Sequence, residues 1–118
     1  MSETLPAAAP TAPFTVRAYE SNDADGLLAL FEAASGRPAD RAEFDEWEAR
    51  REPAHFHCRL VAERGGTLVG AAEAQQSGFS LPGMLEWEAA WLPDTEEAVR
   101  DALVRAVGER VAAAGAFT

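Results

Sequence analysis

The stretch that decides the fold is Trp91–Gly115, WLPDTEEAVRDALVRAVGERVAAAG. It begins at the end of an alternating segment, Met84 to Leu92, in which Leu85, Trp87, Ala89 and Trp91 share one phase. Period-two alternation is the pattern of a strand with one face on a core. Pro93-Asp94 breaks that strand, and from about Thr95 to Ala114 the apolar spacing becomes helical. Val99, Leu103, Ala106, Val107 and Val111 make a narrow stripe, which predicts a helix lying on a sheet. Asp94 and Glu97 have capping-box spacing. Glu96–Arg100 and Asp101–Arg105 are i,i+4 pairs expected on the wet side, each contributing about 0.3–0.5 kcal/mol.

The elements before it follow from the same two periods. Phe14 to Glu20 (FTVRAYE) alternates as a strand, with Phe14, Val16 and Ala18 set against Thr15, Arg17 and Tyr19. Asn22 then caps a helix, with Asp25 in an acidic variant of the capping box. Its apolar stripe is Leu27, Leu28, Leu30, Phe31 and Ala34, and Ser35-Gly36 followed by Pro38 ends it. A second helix starts at Asp40, with Glu43 at the capping-box position and Phe44 and Trp47 on its docking face; Pro53 stops it. His57 to Glu63 and Thr67 to Gln76 read as strands joined at Arg64-Gly65-Gly66, a hairpin turn. Ser77 to Gly83 is a loop. The order is β-α-α-β-β-β-α with no internal repeat.

Composition narrows the function classes. At 118 residues the chain is one domain, long enough to bury a core. A net charge of −10 argues against nucleic acid, whose affinity rests on clustered cations. All ten basic residues are Arg, which with the abundant Ala resembles codon bias more than functional selection. A single cysteine, Cys58, excludes an internal disulfide and fits a reducing compartment. Residues 1–13, MSETLPAAAPTAP, lack a basic n-region and carry Pro6 and Pro10 in what would be the apolar core of a signal peptide. They read as a flexible tail ahead of a domain over 14–118, on a cytoplasmic protein. No apolar run nears the roughly 18–20 residues needed to cross a bilayer, so no membrane partner is expected.

Taken together, these segments resemble the GNAT superfamily of acetyl-CoA-dependent N-acetyltransferases. TVRAYESNDADGLLALF looks like that family's first strand and helix, RLVAERGGTLVGAAEA like its second and third strands with Gly70 after two apolar residues, and Trp91–Gly115 like its fourth strand and the helix behind it. The resemblance implies an α+β, GNAT-like fold, a mostly antiparallel sheet flanked by helices, cut short after the long helix where the family continues into a fifth strand. It implies acetyl-CoA as cofactor if the chain is active. It also implies that an exposed strand 84–92 would need covering, by a second copy in a homodimer or by a second GNAT-like domain.

Two sets of residues bear on activity. The family holds the cofactor's pyrophosphate on a turn of the form Arg/Gln-x-x-Gly-x-Gly/Ala, where backbone N–H groups and the helix dipole act together. By the resemblance, the matching cofactor-binding positions here are Trp91, Leu92, Glu97, Ala98, Val99 and Arg100, vestiges of that loop, and the turn itself runs Glu96-Glu97-Ala98-Val99 without glycine or a basic residue. Carboxylates there repel a diphosphate; two unit charges about 6 Å apart cost roughly 0.7 kcal/mol in water and near 3 at a dielectric of about 20. The same acids also suit a helix start on their own account. Glu86 and Glu88, opposite in phase to Trp87 and Trp91, are solvent-facing residues of a half-buried strand or, by the resemblance, candidate general bases toward an amine. His55, His57 and Cys58 lack a second ligand pair, so no metal is expected.

Three readings follow. The first is a degenerate GNAT-like domain, the N-terminal half of a tandem acetyltransferase. The second is a working N-acetyltransferase completed by further chain or a partner. The third is a small acidic interaction protein pairing through its edge strand.

Overall fold

A computed structural model describes residues 13–76 and 84–115; the expected tail and the 77–83 loop lie outside the described residues, apart from Pro13. The element order is β1 (Thr15–Ala18), α1 (Ala24–Ser35), α2 (Arg41–Ala49), β2 (His57–Arg64), β3 (Thr67–Gln75), β4 (Glu86–Trp91) and α3 (Glu97–Ala113). The strands form one antiparallel sheet in the order β1-β2-β3-β4. The fold is α+β, as expected, with α1 on one face and α3 on the other.

Each face has its own core. Val99, Leu103, Val107 and Val111, every fourth residue of α3, are fully buried against Leu60, Ala62, Val69, Ala72 and Ala74. Leu27 and Leu30 of α1 pack on Val61, Leu68 and Ala71. Burying four such side chains of α3 stabilises its docking by roughly 1.5–3 kcal/mol each before entropy is counted. Gly65 (φ 58°) and Gly66 (φ 83°) make the two-residue turn between β2 and β3, where both central residues need positive φ.

One irregularity sets the packing of both faces. The register moves from Glu63↔Leu68 to Ala62↔Gly70, so β3 holds one extra residue, Val69. A bulge turns two successive residues to one side. Leu68 serves the α1 core, while Val69 and Gly70 both face α3. A Cβ on Gly70 would lie 2.7 Å from Leu103 Cδ1, so the helix sits against bare backbone there.

Several local expectations are corrected. Asn22 is not the cap of α1. A short 3-10 turn, Ser21–Asp23, precedes it, closed by a reciprocal box between Glu20 and Asp23. Asp23 is also gripped by both terminal nitrogens of Arg17 at 2.8 Å, which ties the helix start to β1. Asp40 caps α2 as expected, accepting from the N–H groups of Ala42 and Glu43. Trp47, however, stays 64% exposed while Phe44 alone docks on the α1-side core. Asp94 does not form a box with Glu97. It lies at φ 64°, two residues into a tight turn in which Thr95 bonds back to the Leu92 carbonyl through both N–H and hydroxyl. Pro93 supplies the preceding fixed φ, the usual arrangement of a type II turn.

Candidate functional site

The α1-facing side of the sheet carries the polar chemistry. Strand alternation from Ala71 brings Glu73 and Gln75 onto this face, and the register sets Glu88 opposite Glu73 and Glu86 opposite Gln75. The same alternation places Trp87, Ala89 and Trp91 toward α3. That is the phase expected from the sequence.

Between α1 and strands β3 and β4 lies an open cleft of about 560 Å3, lined by Leu27, Phe31, Ala71 and Ala90 with Arg59, Glu73 and Glu88 among its polar residues. Its size is within the range of small-molecule sites, about 300–1,000 Å3. Glu88 is exposed and makes no hydrogen bond or ion pair with any described residue. Glu86 lies beside the cleft but does not line it.

Behind the cleft is an ionic network that the sequence reading missed. Arg59, whose side chain is only 7% exposed, donates from Nη1 to Glu48 (2.9 Å) and from Nη2 to Glu73 (3.0 Å) and Glu48 (3.2 Å). Its guanidinium is stacked near the rings of Tyr19 and Phe44. Arg51 bonds Glu48 and Gln75, both at 2.6 Å, and His57 Nε2 meets Glu73 at 2.5 Å. Burial opposes ionisation of Glu48, but hydrogen bonds from Arg59 and Arg51 outweigh it and bring its pKa to about 2. Glu73 is likewise held below the ordinary carboxylate value, burial being overcome by the His57 hydrogen bond and the Arg59 charge. Both carboxylates are therefore held as anions, and Glu48 ties α2 to the sheet through Arg59 alongside the apolar contact of Phe44.

The start of α3 is the other feature of interest. Its N-cap, Glu96, makes no side-chain cap bond; the carboxylate instead takes two hydrogen bonds from Arg64 of β2, at 2.6 and 3.2 Å. Arg100 turns the other way, its guanidinium 5.7 Å from the centre of the Trp91 ring of β4, with Nε buried and without a hydrogen-bond partner. Neither expected pair, Glu96–Arg100 or Asp101–Arg105, forms; in the first, Glu96 is taken by Arg64 and Arg100 lies over Trp91. Of the expected cofactor positions, Glu97 and Ala98 are exposed, Trp91, Leu92 and Arg100 are half-buried, and Val99 is sealed in the core.

No metal-holding cluster occurs among the described residues. His57 is bound to Glu73 on one face, while Cys58 packs against the α3 core on the other, where burial pushes its thiol up and makes it a poor nucleophile.

No protein-family model matches the chain, and no curated protein does. Solved structures do. An N-acetyltransferase from Staphylococcus aureus Mu50 superposes at a TM-score of 0.68 with 17% identity, over 88% of this chain and 69% of that one. A GNAT family acetyltransferase from Brucella melitensis, in complex with acetyl-CoA, superposes at 0.67 with 22% identity, over 89% and 72%. The chain has the GNAT N-acetyltransferase fold. An aminoglycoside N-acetyltransferase in complex with CoA gives a further match at 0.68 and 18% identity, over 90% and 74%. At such identities the likeness is one of fold. Within the GNAT fold, β4 and α3 are the elements between which the sequence resemblance placed the cofactor turn. No glycine stands at that turn, Glu97 is exposed, and the Arg100 guanidinium lies over the Trp91 ring. Arg64 does neutralise one of the two carboxylates that the sequence set against an anion there.

Proposed function

We propose that this chain is a GNAT-fold domain with a degenerate cofactor turn, which contributes structure and an acceptor-side surface without binding acetyl-CoA in the usual cradle. The observation that carries this reading is the first turn of α3, which opens on Glu96 and Glu97 and holds no glycine, so side chains stand where a cradle needs close backbone approach. Catalysis then falls to a second domain of the same fold, on a longer chain or a partner. The outer edge of β4, which pairs with no other strand among the described residues, is where such a domain would seat.

A competing reading, a working N-acetyltransferase, draws on Glu88, a free carboxylate at the edge of a cleft and a suitable proton acceptor for an amine. Amide NMR separates the two. With acetyl-CoA added to about 2 mM, the degenerate turn leaves the signals of Glu97 to Arg100 unmoved. Saturable shifts at those residues refute it.

A further inference from the structure

Beyond the end of β1, strand β2 runs on with one edge open. The last pair between the two is Ala18↔Leu60, followed by a hydrogen bond from the Tyr19 N–H to the Arg59 carbonyl at 3.0 Å. Backbone groups of an antiparallel strand point alternately to its two sides. Those of His57 therefore point the same way as those of Arg59, to the side where β1 has ended. The His57 N–H has no hydrogen-bond partner among the described residues.

An open groove of about 590 Å3 wraps this edge and shares only Arg59 with the lining of the cleft beside α1. Tyr19, Phe56 and Cys58 give it apolar surface. Its charges are unbalanced: in a chain of net charge −10, Arg51, Arg59 and Arg110 line it against one carboxylate, Glu48. Glu48 is spent on Arg59 and Arg51, and Arg51 bonds Gln75 as well. Arg110, in the last turn of α3, is exposed and bonded to no described residue. Its charge reaches the groove wall, since burial raises the Cys58 thiol and Arg110 pulls it back.

The Arg110 guanidinium and the His57 N–H thus remain as unspent donors beside apolar surface. We propose that this groove binds a monocarboxylate carried on an apolar body, the anion held by Arg110 and the His57 N–H and the body laid against Tyr19 and Phe56. The choice of anion follows from the same groups. A guanidinium fork matches a planar carboxylate with two parallel hydrogen bonds. A phosphate dianion brings a second negative charge toward Glu48, with no further uncommitted arginine among the described lining residues to meet it. An amine meets cations and a carboxylate that is already occupied.

The test follows amide signals of the full chain with three probes of one shape: 3-phenylpropionate, 3-phenylpropanol and 3-phenylpropylamine. Expected are saturable shifts at Tyr19, His57 and Cys58 with the carboxylate, and affinity lower by roughly tenfold or more for the other two. Arg110→Gln is expected to weaken the carboxylate by a similar factor and to leave the alcohol unchanged. Arg105→Gln removes the same charge from an exposed position of the same helix that does not line the groove, and is expected to bind as the native chain does. Unchanged signals away from the groove report that both variants keep the fold. The proposal is overturned if carboxylate and alcohol bind alike, if Arg110→Gln binds the carboxylate as the native chain does, if the two arginine variants weaken it equally, or if no groove signal moves at millimolar carboxylate. The probes contain no CoA, so failure here leaves the reading of the cofactor turn untouched.

Discussion

Gly70→Ala perturbs the closest approach between α3 and the sheet. The added Cβ lies 2.7 Å from Leu103 Cδ1, against an ordinary carbon–carbon contact of about 3.5–4.0 Å. Relief needs a shift of about 1 Å by a side chain that is 0% exposed and boxed in by Val99 and Val107. Such overpacking costs about 1–3 kcal/mol, and loss of chain entropy in the unfolded state offsets about 0.4–1 of it. The expected net loss is about 1–2 kcal/mol, seen as a lower urea midpoint at unchanged slope. Leu103→Ala alone is expected to cost about 2–5 kcal/mol. In the double variant the methyl added at position 70 projects into the space Leu103 leaves, so its combined loss falls short of the sum of the two single losses by at least about 1 kcal/mol. A Gly70→Ala chain as stable as the native one, or two losses that add within about 0.5 kcal/mol, would refute the packing described here.

Other outcomes test separate parts of the fold. Gly66→Ala introduces no clash, since nothing lies within 4 Å, but forces an L side chain to φ 83°; a loss of about 1–2 kcal/mol is expected, with Gly66→Asn losing less. The ionic network makes stability acid-sensitive. Glu48 is depressed from 4.5 to about 2 in the folded chain, so its contribution is full above about pH 4.5 and disappears as pH falls toward 2. Urea midpoints should fall across that window, with Asp23 and Glu73 acting in the same direction. Glu48→Gln should be less stable at pH 7 and respond less to acid; a midpoint that rises as pH falls from 4.5 would contradict the network.

The order of elements was legible because hydrophobic period and turn chemistry agree along most of the chain. Leu27 and Leu30 at helical spacing, the Gly65-Gly66 turn, and the Val99, Leu103, Val107 and Val111 row each specify one local geometry. The ionic network was hidden by a single residue. Paired outward from the glycine turn without a bulge, Arg59 would face Ala72, and only the extra residue at Val69 brings it opposite Glu73. The signal that was available is phase: Arg59 lies two residues from fully buried Val61 and shares its face, so a charge there needed a partner. Glu48 and Arg51 come from outside the strands, and strand register says nothing of them. The helix start of α3 was misread for a related reason. Its acids have good capping spacing, but Glu96 finds Arg64 across the fold, and Asp94 is turned away by the bend that follows Pro93. Glu88 was identified by alternation, yet its lack of a countercharge among the described residues emerges only once Arg59 is seen to be taken.

Isothermal titration of the full chain with acetyl-CoA tests the central claim, that this fold lacks a working cofactor turn. With Arg100 lying over Trp91 and no glycine at the first turn of α3, no saturable heat is expected up to millimolar cofactor. A one-site isotherm with a low-micromolar Kd would contradict it.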